Sequence, residues 1–213
     1  MSDIIRSVRG RCATEKTIEK SRFLSFCEHV ASEEEARAFL AEIKRAHPAA
    51  THCCYGFIAD KTGAMQRFSD DGEPQGTAGM PILDVIKNRK LFETAVAVVR
   101  YFGGVKLGAG GLVRAYSSSC AEVLSVAEIC FWQICARIEV SVEYSLADAT
   151  LKFLASAPCE TESCRYEDKV YYTLLVKKTD EAAFCAALTD RLAGRLSYKL
   201  INELYYPFLE RKN

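Results

Sequence analysis

Residues 66–116 read QRFSDDGEPQGTAGMPILDVIKNRKLFETAVAVVRYFGGVKLGAGGLVRAY, and eight of the chain's twelve glycines lie within them. Two glycine-rich loops bracket a helix-forming segment and an apolar run. The run at 94–102, TAVAVVRYF, is near-continuously apolar, the pattern of a central strand covered on both faces. Pro81 suits the first turn of a helix, which places a helix from 79 or 80 to 90 with Ile82, Leu83 and Ile86 on its buried side. Glycine admits positive φ and close backbone approach, so these two loops read as shaped for a partner.

The second loop leads from the strand into another helix at 111–128, which buries Leu112, Tyr116, Cys120, Val123 and Ala127 at helical spacing. The dinucleotide fingerprint is absent, and Lys106 is not followed by the Ser or Thr of a P-loop. A helix starting at 110 or 111 still offers free N–H groups and a positive dipole end to an anion. Arg100, Tyr101, Gly103, Gly104, Lys106, Gly108, Gly110, Gly111 and Arg114 therefore form the candidate anion or RNA site. The first loop carries Asp70, Asp71 and Glu73. Those carboxylates can hold a hard cation, serve as surface turn formers, or pair with Arg100 and Arg114.

The motif Gly72-Glu73-Pro74-x-Gly76-Thr77-Ala78-Gly79-x-Pro81 is followed by Val99-Arg100-Tyr101-Phe102-Gly103-Gly104 and Leu107-Gly108-x-Gly110-Gly111-Leu112-x-Arg114-Ala115-Tyr116. Together they resemble the IMPACT family in its bacterial YigZ-type branch, and the resemblance extends more weakly over essentially the whole chain. It implies an α+β protein of two domains. The first would be similar to the second domain of ribosomal protein S-five, the second would be ferredoxin-like, and both look like domains near the end of elongation factor G. Eukaryotic relatives regulate translation through an additional amino-terminal domain. The resemblance thus implies partners in translation: RNA, the ribosome or a translation-related protein.

The rest of the chain fits around this centre. At 213 residues and 49% hydrophobic composition there is material for one or two cores. Basic and acidic residues balance at 28 each, and neither part of the chain departs far from neutrality, so a nucleic-acid site must be a local patch. The start, MSDIIRSVRG, lacks the apolar core of a signal peptide and no run reaches membrane-spanning length. A cytoplasmic protein with no membrane partner is expected. The ten cysteines include no Cys-x-x-Cys, and His52 and Cys54 would share a strand face with Cys53 opposite. We expect free thiols, no metal and no cofactor.

Strands are expected at 8–18 and 23–30. Ser32 and Glu35 form a capping box that opens a helix to Ala46, and strands follow at 53–59 and 65–68. The first domain is set at 1–130, with a boundary at 131–136. Beyond it a strand at 137–144, a helix at 147–157, a hairpin of 159–166 with 169–177, a helix at 180–193 capped by Gly194, and a strand at 196–206 give the βαββαβ order of a ferredoxin-like domain at 137–207.

Two function classes remain. A non-catalytic binding protein, associated with translation regulation, would use the basic and aromatic groups of the second loop on RNA. An enzyme acting on a phosphate-containing small molecule is the alternative. Against it, His29, His47 and His52 lie outside the central stretch and no base and nucleophile pair is evident.

Overall fold

The computed structural model describes residues 4–209. The chain divides into two compact units, one of Met1–Phe131 with Pro207–Asn213, the other of Trp132–Tyr206.

The first unit begins with β1 (Ile5–Val8), β2 (Cys12–Ile18) and β3 (Ser21–His29), followed by α1 (Glu33–Ala46), β4 (His52–Ile58) and β5 (Gln66–Ser69). Then come α2 (Gly79–Asn88), β6 (Thr94–Tyr101), α3 (Gly108–Val126) and the opening residues of β7 (Ile129–Val142). Five strands form an antiparallel sheet in the order β2-β3-β6-β4-β5. The apolar run of β6 is its middle strand and is buried from Thr94 to Arg100. Alternation divides that run between two cores. Ala95, Ala97 and Val99 pack with Ala36, Phe39 and Ile43 of α1. Val96 and Val98 pack with Ile82, Leu83 and Ile86 of α2 and Leu112, Tyr116 and Cys120 of α3. The unit is therefore three layers, helix, sheet and helices.

Local signals explain most of these boundaries. Glu35 N–H donates to Ser32 Oγ at 3.2 Å, and the Glu35 carboxylate accepts from Ala31 N–H at 2.7 Å, one residue before the cap itself. Glu19 and Lys20 both adopt positive φ between the paired Ile18 and Ser21, a two-residue hairpin turn made without glycine or asparagine. The third helix starts at Gly108 rather than 111. Its glycine-rich first turn is poor in propensity, but the burial of Leu112, Ala115 and Tyr116 outweighs it.

The second unit continues β7 and adds α4 (Ala147–Leu154), β8 (Cys159–Tyr166), β9 (Val170–Lys177), α5 (Glu181–Arg191) and β10 (Ser197–Leu209). The order is βαββαβ, and the strands lie as β10-β7-β9-β8, as expected of a ferredoxin-like arrangement. Ile138, Val140, Tyr172 and Leu174 pack with Phe184 and Leu188 of α5. Positions of opposite parity carry ion pairs: Arg137 with Glu162, and Glu139 with both Arg165 and Lys199. The range 131–136, where the boundary was expected, is strand: β7 runs unbroken from Ile129 to Val142, and the two units divide between Phe131 and Trp132. No helix among the described residues is long and apolar enough to cross a membrane.

Candidate anion-binding site

β6 ends at Tyr101, and the chain passes through Phe102–Leu107 into α3. Gly103 fixes the route. A Cβ there would lie 1.9 Å from the Lys20 carbonyl oxygen, so the loop can lie against the β2–β3 turn only with glycine at this position. Its N–H donates to Ser21 Oγ at 3.3 Å. Gly104 and Gly108 take the left-handed conformation, with φ +86 and +68. The loop therefore turns back and delivers the amino end of α3 beside the hairpin.

Lys106, Gly111 and Arg114 line one open concavity of about 420 Å³ together with Ile18, Glu19, Val105 and Ser118. Lys106 and Arg114 are exposed, and neither has an ion-pair partner among the described residues. The cap position of α3, Leu107, supplies no side-chain hydrogen bond to the helix start. Two unpaired cations thus stand beside uncapped backbone donors, an arrangement suited to an anion. Gly110 is exposed at the same helix end.

Arg100 is placed elsewhere. Its guanidinium is 5% exposed, bonds Glu73 at 2.7 Å and donates to Ser21 Oγ at 3.2 Å. It also lies over the rings of Phe23 and Phe102 at 5.5 and 5.3 Å. Of the pairings open in the sequence, Arg100 with Glu73 forms; Arg114 forms none with the acidic loop. Tyr101 turns to the α1 side, its hydroxyl bonded to His47 Nδ1 at 3.0 Å, with Arg22 over its ring.

All three loop carboxylates have internal partners. Asp70 accepts from the N–H groups of Gly76, Ala78 and Gly79 at 2.9–3.0 Å. Burial works to raise its pKa, but these backbone donors hold it below the usual value. Asp71 accepts from Cys53 N–H at 2.7 Å and pairs with Lys44 at 3.2 Å. Glu73 Oε1 takes the Tyr116 hydroxyl at 2.8 Å as well as Arg100, and His52 Nε2 stands 3.9 Å from Oε2. Burial raises the Tyr116 and Cys54 pKa values well above their ordinary ranges. His52 Nδ1 is 2.8 Å from the Asp71 carbonyl oxygen, which makes that nitrogen the N–H donor. No group of three or more His, Cys, Asp or Glu among the described residues is arranged to hold a metal ion.

Comparison with known proteins agrees with the motif. Residues 19–124 match the Impact N-terminal domain and residues 140–195 a domain of unknown function, DUF1949. Over 185 residues the chain is 36% identical to the IMPACT family member YvyE of Bacillus subtilis, spanning 87% of this chain and 85% of that protein. The chain belongs to the IMPACT family. This IMPACT-family chain is also 32% identical over 188 residues to the family member YigZ of Escherichia coli, covering 87% of the one and 92% of the other. A solved structure titled "Crystal structure of an hypothetical protein" is 28% identical, with a TM-score of 0.62 over 95% of this chain and 99% of that one.

The sequence did not disclose that Tyr116 shares Glu73 with Arg100, since a tyrosine in an apolar helical stripe reads as core. Nor did it disclose that Ser21 bonds both Arg100 and Gly103. The register of β3 with β6, Arg22 opposite Tyr101, carries Ser21 to the loop.

Proposed function

We propose that this IMPACT-family protein is a non-catalytic binding module of translation, working in the cytoplasm, and that it engages the phosphate backbone of RNA through Lys106, Arg114 and the backbone amides of 108–111. The observation that carries the reading is the concavity beside the hairpin turn. There two exposed cations without ion-pair partners flank the uncapped start of α3. The likeness of the two domains to those near the end of elongation factor G favours RNA as the anion. Phe102, 47% exposed at the start of the loop, is available for base stacking. Arg100 acts from inside, holding the acidic loop against β6. The enzyme alternative gains no observation, because Asp70, Asp71 and Glu73 are engaged in structural bonds.

Fluorescence anisotropy with a single-stranded RNA oligonucleotide over a salt series tests this. Lys106→Ala and Arg114→Ala should each weaken binding and lower the slope of log affinity against log salt by about 0.7. Both variants should keep the wild-type Tm. Unchanged affinity and slope in both would overturn the proposal, and binding of a protein partner insensitive to these changes would point to a different surface.

A further inference from the structure

The antiparallel pairing of β2 with β3 sets Cys12 directly opposite Cys27. Residues so paired carry their side chains on one face, with Cα atoms about 4.5–5.5 Å apart. A disulfide bridges Cα separations of about 4.4–6.8 Å. Cys12 is partly exposed on the edge strand, and Cys27 is buried behind it. In the pairings of β4 with β6, β7 with β9 and β8 with β9, Cys53, Cys54, Cys135, Cys159 and Cys164 face Val99, Val98, Lys177, Val176 and Tyr172. Among those positions, the cross-strand cysteine pair is confined to β2 and β3.

We propose that Cys12 and Cys27 are a redox-active dithiol that closes to a cross-strand disulfide by exchange with a small-molecule disulfide such as oxidised glutathione. The Cys12 thiolate attacks one sulfur of glutathione disulfide, its S–S bond breaks, and one glutathione thiolate leaves and is protonated. Cys27 then gives its proton to solvent and attacks Cys12 Sγ. The mixed disulfide breaks and the second glutathione leaves. Two protein thiols are oxidised, one external disulfide is reduced, and no other reactant is needed. Exposure makes Cys12 the first to react. Burial holds the Cys27 thiol up to about 12, so closure is the slower step and accelerates with rising pH. The bond joins the hairpin at the end opposite its turn, tying edge strand β2 to the sheet.

The test uses the full chain in a Cys164→Ser background, which removes the exposed thiol. After incubation with excess glutathione disulfide, trypsin separates the two cysteines, since Lys16, Lys20 and Arg22 lie between them. The expected map contains the Cys12 peptide joined to the Cys27 peptide, free of glutathione and restored by dithiothreitol. The oxidised protein should melt higher than the reduced one. With Cys27→Ser, glutathione should remain on Cys12. Retention of glutathione on Cys12 in the parent protein while Cys27 stays free would overturn the proposal, as would failure of both thiols to react. If Cys27→Ser does not fold, the parent map decides.

Discussion

Glu73 Oε1 accepts from both Arg100 and Tyr116, and both charged side chains are 5% exposed or less. A buried pair of this kind is costly to assemble but far costlier to halve. Glu73→Ala leaves the Arg100 charge enclosed without a counter-ion and should lower stability in urea denaturation by about 3–5 kcal/mol. Tyr116→Phe removes one hydrogen bond to a charged acceptor and should cost about 1.5–3 kcal/mol. The double variant Glu73→Ala/Arg100→Ala should lose less than the sum of the single losses. Additive losses would show that the pair is not coupled. The residues of this pair were legible in the sequence, and so was the possibility of their pairing. The choice was not, because an arginine ending β6 can reach either toward the acidic loop or toward the glycine loop. Strand register decides it by carrying Ser21 to the guanidinium.

The start of α2 shows how one side chain can set an element. Ala78, its cap residue, has no side-chain hydrogen bond to give, and Asp70 from the preceding loop takes the N–H groups of Ala78 and Gly79 instead. Burial opposes this carboxylate and the backbone donors lower its pKa. A group with a depressed folded pKa adds stability that is complete above its unfolded value, about 3.9 for aspartate, and is lost as pH falls through the folded value. Wild type should therefore melt higher than Asp70→Asn at neutral pH, and the gap should narrow below about pH 4. A gap that stays constant down to pH 2 would contradict the assignment. At this level the sequence was informative where periodicity and caps agreed, as in α1 and β6. It did not show that β7 continues through the boundary, for a definite reason: Phe131, Trp132 and Gln133 break the apolar alternation, but hydrogen-bonded pairing does not require alternation to continue.

The two units are not consecutive stretches of chain. The first is completed by residues from Pro207 onward, including Phe208, which is 7% exposed. Within the second unit Trp132 and Tyr205 bring their rings to 5.6 Å, so the two ends of that stretch lie side by side. Replacing 132–206 by a short glycine linker should give a first unit that unfolds cooperatively. A fragment ending at Phe131 should melt lower, by the loss of roughly 1.5–3 kcal/mol of apolar burial at Phe208. Equal melting temperatures would show that the terminal stretch adds nothing. Two domains in succession were readable because each has its own periodicity. The return of the last strand was not, since a few apolar residues at the end of a strand do not say which unit they join.

That return has a consequence in time. A ribosome adding about 5–20 residues per second needs roughly 4 to 15 s to pass from Phe131 to Pro207. Through that interval the first unit waits without its closing residues, and the second, which is contiguous, is the first to have its whole sequence available once Tyr206 has emerged. The later-made part can finish first.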